Sequence, residues 1–372
     1  MARLGDVCTI SSSNVTMLDD KVWLLNLDMV EQQTGNIISY NYVGNDELNG
    51  SIIQFDTTNV LYSKLRPNLN KVVIPDRGGF ATSEMLPLKP NSNVLSREYL
   101  AAYLRSDAFV SWAVSKTAGA KMPRLGTKVL LDKEIPIPPL EEQHKIAEQL
   151  DKVSDLIAKR RAQLDKLDLL VKARFSELVS NSHAKKCPEP LGNYLDNITY
   201  GFTNPMPDTE EGPWKVTAKD ICNGKINFST ARKTSFKAFD ELTQKSKPIK
   251  GDILLTKDGT LGRVALVEHE DICVNQSVAV LRCNVRVLPA FLFYLLQMPE
   301  YQSEMISNAG GGTIKHIYIT KVDKMLVGVP ELSIQSAFLF FANRAEKNRA
   351  IISNSLGKLE TLKKALMQQY FE

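Results

Sequence analysis

Five cysteines and four histidines are the side chains best suited to nucleophilic or metal chemistry, and their spacing argues against both. Cys8, Cys187, Cys222, Cys273 and Cys283 are scattered without a C-x-x-C pair. A zinc site would lack its closely spaced ligands, and the thiols read as reduced core fillers. His144, His183, His269 and His316 sit apart and read mostly as solvated side chains. Phosphate and cofactor signatures are also missing: there is no Gly-x-x-x-x-Gly-Lys-Ser/Thr, no Gly-x-Gly-x-x-Gly, no Gly-x-Ser-x-Gly and no His-Glu-x-x-His. Asn204-Pro205-Met206-Pro207 is not the Asn/Asp-Pro-Pro-Tyr/Phe signature of amino-methyltransferases, and Pro207-Asp208 lacks a following Glu-x-Lys at nuclease spacing. The expectation is a chain with no catalytic residue, metal or cofactor of its own.

The remaining chemistry is cationic. Lys and Arg number 46 against 42 Asp and Glu, a formal charge of only +4, so any basic surface must be local. The richest stretch runs from Lys225 to Arg263 and includes Arg232, Lys233, Lys237, Lys245, Lys247, Lys250 and Lys257. With 43% hydrophobic and 24% charged residues, the composition is that of a folded globular chain, which excludes disorder and collagen. No apolar run approaches ~20 residues, and the N-terminus lacks the apolar core of a signal peptide. The chain reads as cytoplasmic, with no membrane span.

The elements that must position these cations come in two copies. Leu4-Gly5-Asp6-Val7 answers Leu191-Gly192-Asn193-Tyr194, and Tyr99–Leu104 answers Phe291–Leu296. Pro138-Pro139-Leu140-Glu141-Glu142-Gln143 answers Pro330-Glu331-Leu332-Ser333-Ile334-Gln335. Each half reads as mixed α/β. Lys71–Pro75 and Val264–Val267 are expected as strands, Tyr99–Ala113 and Pro289–Met298 each as one short helix.

A long helix should follow each half. Glu141–Asn181 contains no Pro or Gly, and its apolar residues Ile146, Leu150, Val153, Ile157, Leu164, Leu167, Val171 and Leu178 repeat like a coiled-coil seam. The second segment repeats the seam at Phe338, Ala342, Ala345, Ile352, Leu356, Leu359, Leu366 and Tyr370, interrupted by Gly357. Equal halves and equal helices predict an antiparallel pair with pseudo-two-fold symmetry. The seam through Ile146–Ile157 is expected against Ala345, Ile352, Leu356 and Leu359.

Four segments carry a family likeness. They are Val60-Leu61-Tyr62-Ser63-Lys64-Leu65-Arg66-Pro67-Asn68-Leu69-Asn70-Lys71-Val72, the related Lys250–Val264, the helix start Pro138–Ala147, and its degenerate copy Pro330–Phe341. Together, in this order and over essentially the whole chain, they resemble the specificity (S) subunit of type I restriction-modification systems. The resemblance implies a target-recognition domain at 1–138, a spacer helix at 139–186, a second recognition domain at 187–329 and a second spacer helix at 330–372. It implies a non-catalytic reader of double-stranded DNA, each domain taking one half of a split target. The helices would set the spacer and dock two adenine-methylating M subunits carrying S-adenosylmethionine. R subunits would add ATP- and Mg-dependent translocation and cleavage.

Reading a duplex requires cations on phosphates and side chains at base edges. The candidates are Lys64, Arg66, Lys71, Lys121 and Arg124 in the first half, and Lys233, Lys257, Arg263, Lys315, His316 and Tyr318 in the second. Gly310–Gly312 reads as a turn or as a place for backbone N–H groups to approach phosphate. Two other readings stand beside this one: a symmetric coiled-coil scaffold without DNA readout, and a self-contained methyltransferase or nuclease.

Overall fold

The computed structural model describes residues 1–11, 21–48, 50–181, 184, 186–311 and 315–371. The chain divides into two compact units, Met1–Ala162 with Ile352–Glu372, and Gln163–Ile351. His183 and Gly312, singled out in the sequence, lie outside the described residues.

The first unit is built on strands β1 (Cys8–Ile10), β2 (Lys21–Leu25), β3 (Tyr42–Gly44), β4 (Ile52–Phe55), β5 (Val60–Ser63), β6 (Val72–Val73), β7 (Gly79–Thr82) and β8 (Met85–Pro90). They form two four-stranded sheets, ordered β1-β8-β5-β6 and β3-β2-β7-β4. Strand periodicity explains why β5 is apolar on both faces. Val60 and Tyr62 enter the core beneath the helices, while Leu61 enters a second core with Trp23, Phe55 and Met85. Two short helices follow, α1 (Arg97–Leu104) and α2 (Asp107–Ser115). Sequence reading expected one helix here. The structure has two because Ser106 leaves the helix and caps a new one, accepting the Phe109 N–H at 3.2 Å as Ser96 accepts that of Tyr99 at 3.1 Å.

The second unit repeats this plan. Strands β9 (Leu195–Tyr200), β10 (Thr209–Val216), β11 (Arg232–Lys233), β12 (Ile253–Thr256), β13 (Val264–Leu266), β14 (Ile272–Val274) and β15 (Val278–Cys283) form sheets ordered β9-β15-β12-β13 and β11-β10-β14. Strand β12 divides its side chains as β5 does, with Ile253 and Leu255 in one core and Leu254 in the other. The helix expected over Pro289–Met298 is present as Pro289–Leu296, and a further helix, Pro299–Ser307, follows beyond the expected range; each is opened by a proline at its first position.

The two long segments are helices of 42 and 40 residues, Leu140–Asn181 and Leu332–Phe371, designated α3 and α4. Each contributes to both units, since the division falls after Ala162 in one and after Ile351 in the other. They run antiparallel within each unit. In the first, the Tyr370 hydroxyl donates to Gln149 at 2.6 Å and Arg161 pairs with Glu360 at 2.8 Å. In the second, Arg349 pairs with Asp168, and the rings of Phe175 and Phe338 lie 4.7 Å apart.

Every predicted seam residue is buried or half-buried. The expected partners need correction. Ile146 and Leu150 share their core with Leu366, Met367, Tyr370 and Phe371, whereas Ala345 belongs to the second unit. Antiparallel packing sends the start of α3 to the end of α4, where Phe371 sits edge-on to Tyr99 and Tyr103. Phe175 and Val179, absent from the predicted seam, are more deeply buried than Val171 and Leu178 because the second unit's helices also cover that face.

The repeat is physical as well as sequential. Gln143 and Gln335 are both fully buried at equivalent first turns. The Gln143 carboxamide accepts the Ser96 N–H and donates to the Val94 and Pro138 carbonyls. That of Gln335 accepts the Leu288 N–H and donates to the Arg286 and Pro330 carbonyls. Among the described residues, no helix is long and apolar enough to cross a membrane.

Candidate nucleic-acid interface

Strand register brings the two quoted cationic segments into residue-by-residue correspondence. Ser63 pairs with Met85 and Tyr62 with Val72 in the first unit; Thr256 pairs with Val278 and Leu255 with Val264 in the second. Both segments are therefore loops of the same hairpin, β5–β6 and β12–β13. Lys64 corresponds to Lys257, and Lys71 to Arg263. The supporting hydrogen bonds match. The Lys64 N–H donates to the Glu84 carbonyl and the Lys257 N–H to the Ser277 carbonyl, both at 2.9 Å. The Leu125 N–H donates to Lys64 and the Ile317 N–H to Lys257. The same frame sets Leu65 against Arg124, and Asp258 against His316, as isolated bridges. Residues distant in the sequence, such as Leu65 and Arg124 or Asp258 and His316, thus meet at one loop cluster in each unit.

The side chains differ in what they are free to do. Lys64, Arg66, Lys121 and Lys315 make no side-chain hydrogen bond or ion pair among the described residues; Lys64 is half-buried and the other three are exposed. Arg263 is exposed and gives one N–H to the Ile221 carbonyl at 3.1 Å. The others are engaged. The Lys71 ammonium donates to the Leu27 carbonyl, and burial lowers its pKa. This bond ties the loop to the second core. Arg124 pairs with Glu84 at 3.0 Å. Asp258 holds both Lys257 at 2.8 Å and His316 Nδ1 at 2.7 Å, and Lys257 also lies 5.5 Å from the Tyr200 ring centroid. Lys233 caps the Trp214 ring at 4.9 Å. Tyr318 is exposed, with Lys321 over its ring. The ring also explains Gly310: a Cβ there would lie 2.7 Å from it, so close packing is what requires glycine.

Two further features have no local sequence signal. The carboxylates Glu84 and Asp258 trim the local positive charge, although Asp258 stands inside the quoted motif. A cleft of about 440 Å³ in the second unit is lined by Phe202, Asn204, Lys219, Arg232, Asn275 and Gln276, among others. Its residues come from strands and loops far apart in the chain, so no local pattern announces it. Arg232, from the richest basic stretch, is bound to Asp208 there, as is Lys215.

Cys187, expected as a core filler, is exposed, whereas three other thiols offer little nucleophilic chemistry. Burial pushes Cys8, Cys273 and Cys283 up to about 12. Among the described residues, no three His, Cys, Asp or Glu side chains are grouped to hold a metal ion.

Comparison with known proteins places this architecture. The sequence matches the type I restriction modification DNA specificity domain twice, over residues 1–167 and 197–361, and the chain belongs to that family. It is 26% identical over 302 residues to the Type I restriction enzyme EcoBI specificity subunit of Escherichia coli, covering 71% of this chain and 63% of that protein. It is 30% identical over 162 residues to the EcoDI specificity subunit of the same organism, covering 42% of this chain and 36% of that protein. The matched regions thus span less than two thirds of either relative. A solved chain from a study of complex assembly and conformational transition of the type I R-M system superposes with a TM-score of 0.65 at 17% identity, over 99% of this chain and 96% of that one. The S subunit of a type I restriction-modification system from M. genitalium gives 0.60 at 13% identity, over 100% and 95%. Both share the fold.

Proposed function

We propose that the chain is the non-catalytic DNA-specificity subunit of a type I restriction-modification complex. Each unit reads one half of a bipartite duplex target. The observation that carries this reading is the duplicated cationic hairpin: two units with the same backbone frame present different side chains from it. A shared frame suits docking on the phosphate backbone, which is the same everywhere, and differing tips suit two different half-sites.

Helices α3 and α4, each contributing to both units, fix the unread spacing and dock two adenine-methyltransferase subunits; restriction subunits join the larger complex. S-adenosylmethionine, ATP and Mg reside on those partners. The present chain contributes positioning and sequence selection, and the complex acts in the cytoplasm.

The test is the modified-adenine motif in DNA from cells carrying this chain with its methyltransferase partner. A split motif with a fixed gap is expected. Uniform methylation, or a continuous motif, contradicts the reading. A second assay separates the enzymatic alternative: pure chain with duplex DNA, Mg²⁺ and labelled S-adenosylmethionine should produce neither methylation nor cleavage.

A further inference from the structure

Correspondence between the hairpins isolates one residue whose presence the fold does not explain. The β12–β13 loop turns through left-handed corners at Gly259 and Gly262, with φ of 78° at both. The β5–β6 loop turns at the corresponding Arg66 and Asn70, with φ of 49° and 50°. Glycine adopts this conformation freely and Asn tolerates it, but a long side chain there is strained. Architecture would be served by glycine, as the second unit shows, yet the first unit carries an arginine.

The Arg66 side chain repays nothing inside the protein. It is exposed and has no side-chain partner among the described residues. Its backbone is held firmly: the Arg66 N–H donates to the Pro123 carbonyl at 2.8 Å, and its carbonyl accepts the Leu69 N–H at 2.9 Å. The following Pro67 is buried, and the Asn70 carboxamide donates to the Arg105 carbonyl at 3.0 Å. A free guanidinium thus projects from a rigid, strained corner beside Lys64. A guanidinium fork hydrogen-bonds bidentately to phosphate as well as to a base edge, but a phosphate contact is wanted at both half-sites, and the second unit carries Gly259 at this corner. A planar fork on a fixed base suits bidentate hydrogen bonding to the O6 and N7 of guanine.

We infer that Arg66 is a base-selecting residue of the first unit and recognises a guanine in its half-site. This rests on the DNA-reading function proposed above. The experiment compares the complex of full-length chain and methyltransferase carrying wild-type, Arg66→Gly or Arg66→Lys chain. Methylated motifs are mapped, and salt-dependent duplex binding is measured. Arg66→Gly relieves the left-handed strain, so the variant should melt no lower than wild type. Its motif should lose the preference for guanine at one position of one half-site, with discrimination falling about ten- to a hundredfold. Arg66→Lys should keep the salt dependence and lose the same preference. An unchanged motif in both variants overturns the inference and leaves the functional reading intact. A uniform loss of affinity with the motif preserved also overturns it, by making Arg66 a phosphate contact. A wild-type complex with no sequence motif overturns both.

Discussion

Lys64 and Lys71 lie in one hairpin loop and looked equivalent as charges, yet their surroundings set them opposite tasks. Among the described residues the Lys64 ammonium has no partner, whereas the Lys71 ammonium donates to the Leu27 carbonyl and has its pKa lowered by burial. Lys64→Ala should weaken duplex binding and reduce the log–log salt slope by roughly 0.9, with little change in melting temperature. Lys71→Ala should lower the melting temperature and leave the slope unchanged; titrations at several salt concentrations, alongside thermal melts, separate the two. The sequence showed where cations concentrate because charge is a local property. It could not show which were spent, because Glu84 and Leu27 lie at a distance along the chain and reach the loop only through the sheets. Lys257, paired with Asp258, is the exception, since its partner is the next residue and was visible.

At the scale of elements, the long helices were legible because a seam and the absence of Pro and Gly are periodic signals. Their partners were not, because periodicity carries no direction of packing. The Tyr99–Ala113 segment divides where Ser106 restarts the chain, since a cap inside an apolar run looks like part of it, whereas Pro289–Met298 holds the one helix its pattern predicts. The buried glutamines at the helix starts were visible only as part of the repeat. Gln143→Ala strands the buried Ser96 N–H and should cost about 1–3 kcal/mol, read as a lower midpoint in chemical denaturation. Gly357 lies in helix α4 with open space where a Cβ would stand, so Gly357→Ala should stabilise the protein by about 1 kcal/mol in the same measurement. In the second unit, Arg286 and Asn193 bind Glu189 and hold its carboxyl pKa down at about 2, below its ordinary 4.5. A depressed carboxylate stabilises the fold fully above its unfolded value and loses that contribution as pH falls through the folded one. Melting curves of wild type and Glu189→Gln should therefore differ at neutral pH and converge as the pH falls toward about 2.

The whole molecule is a duplication whose halves kept their frame and diverged at their tips. Leu4 and Leu191 are both fully buried, and their N–H groups donate to the Lys133 and Met325 carbonyls, both at 2.8 Å. Such shared positions made the repeat readable despite low identity. The tips, where Arg66 answers Gly259 and Arg124 answers His316, are where recognition of different half-sites would reside. The central claim is that each unit independently specifies one half of the target. Residues 1–137 should therefore be exchanged for the matching region of a related subunit, and the methylated motif mapped in cells carrying the partner methyltransferase. The account predicts that one half-site changes while the other half-site and the gap remain; a motif altered in both halves, or in neither, would contradict it.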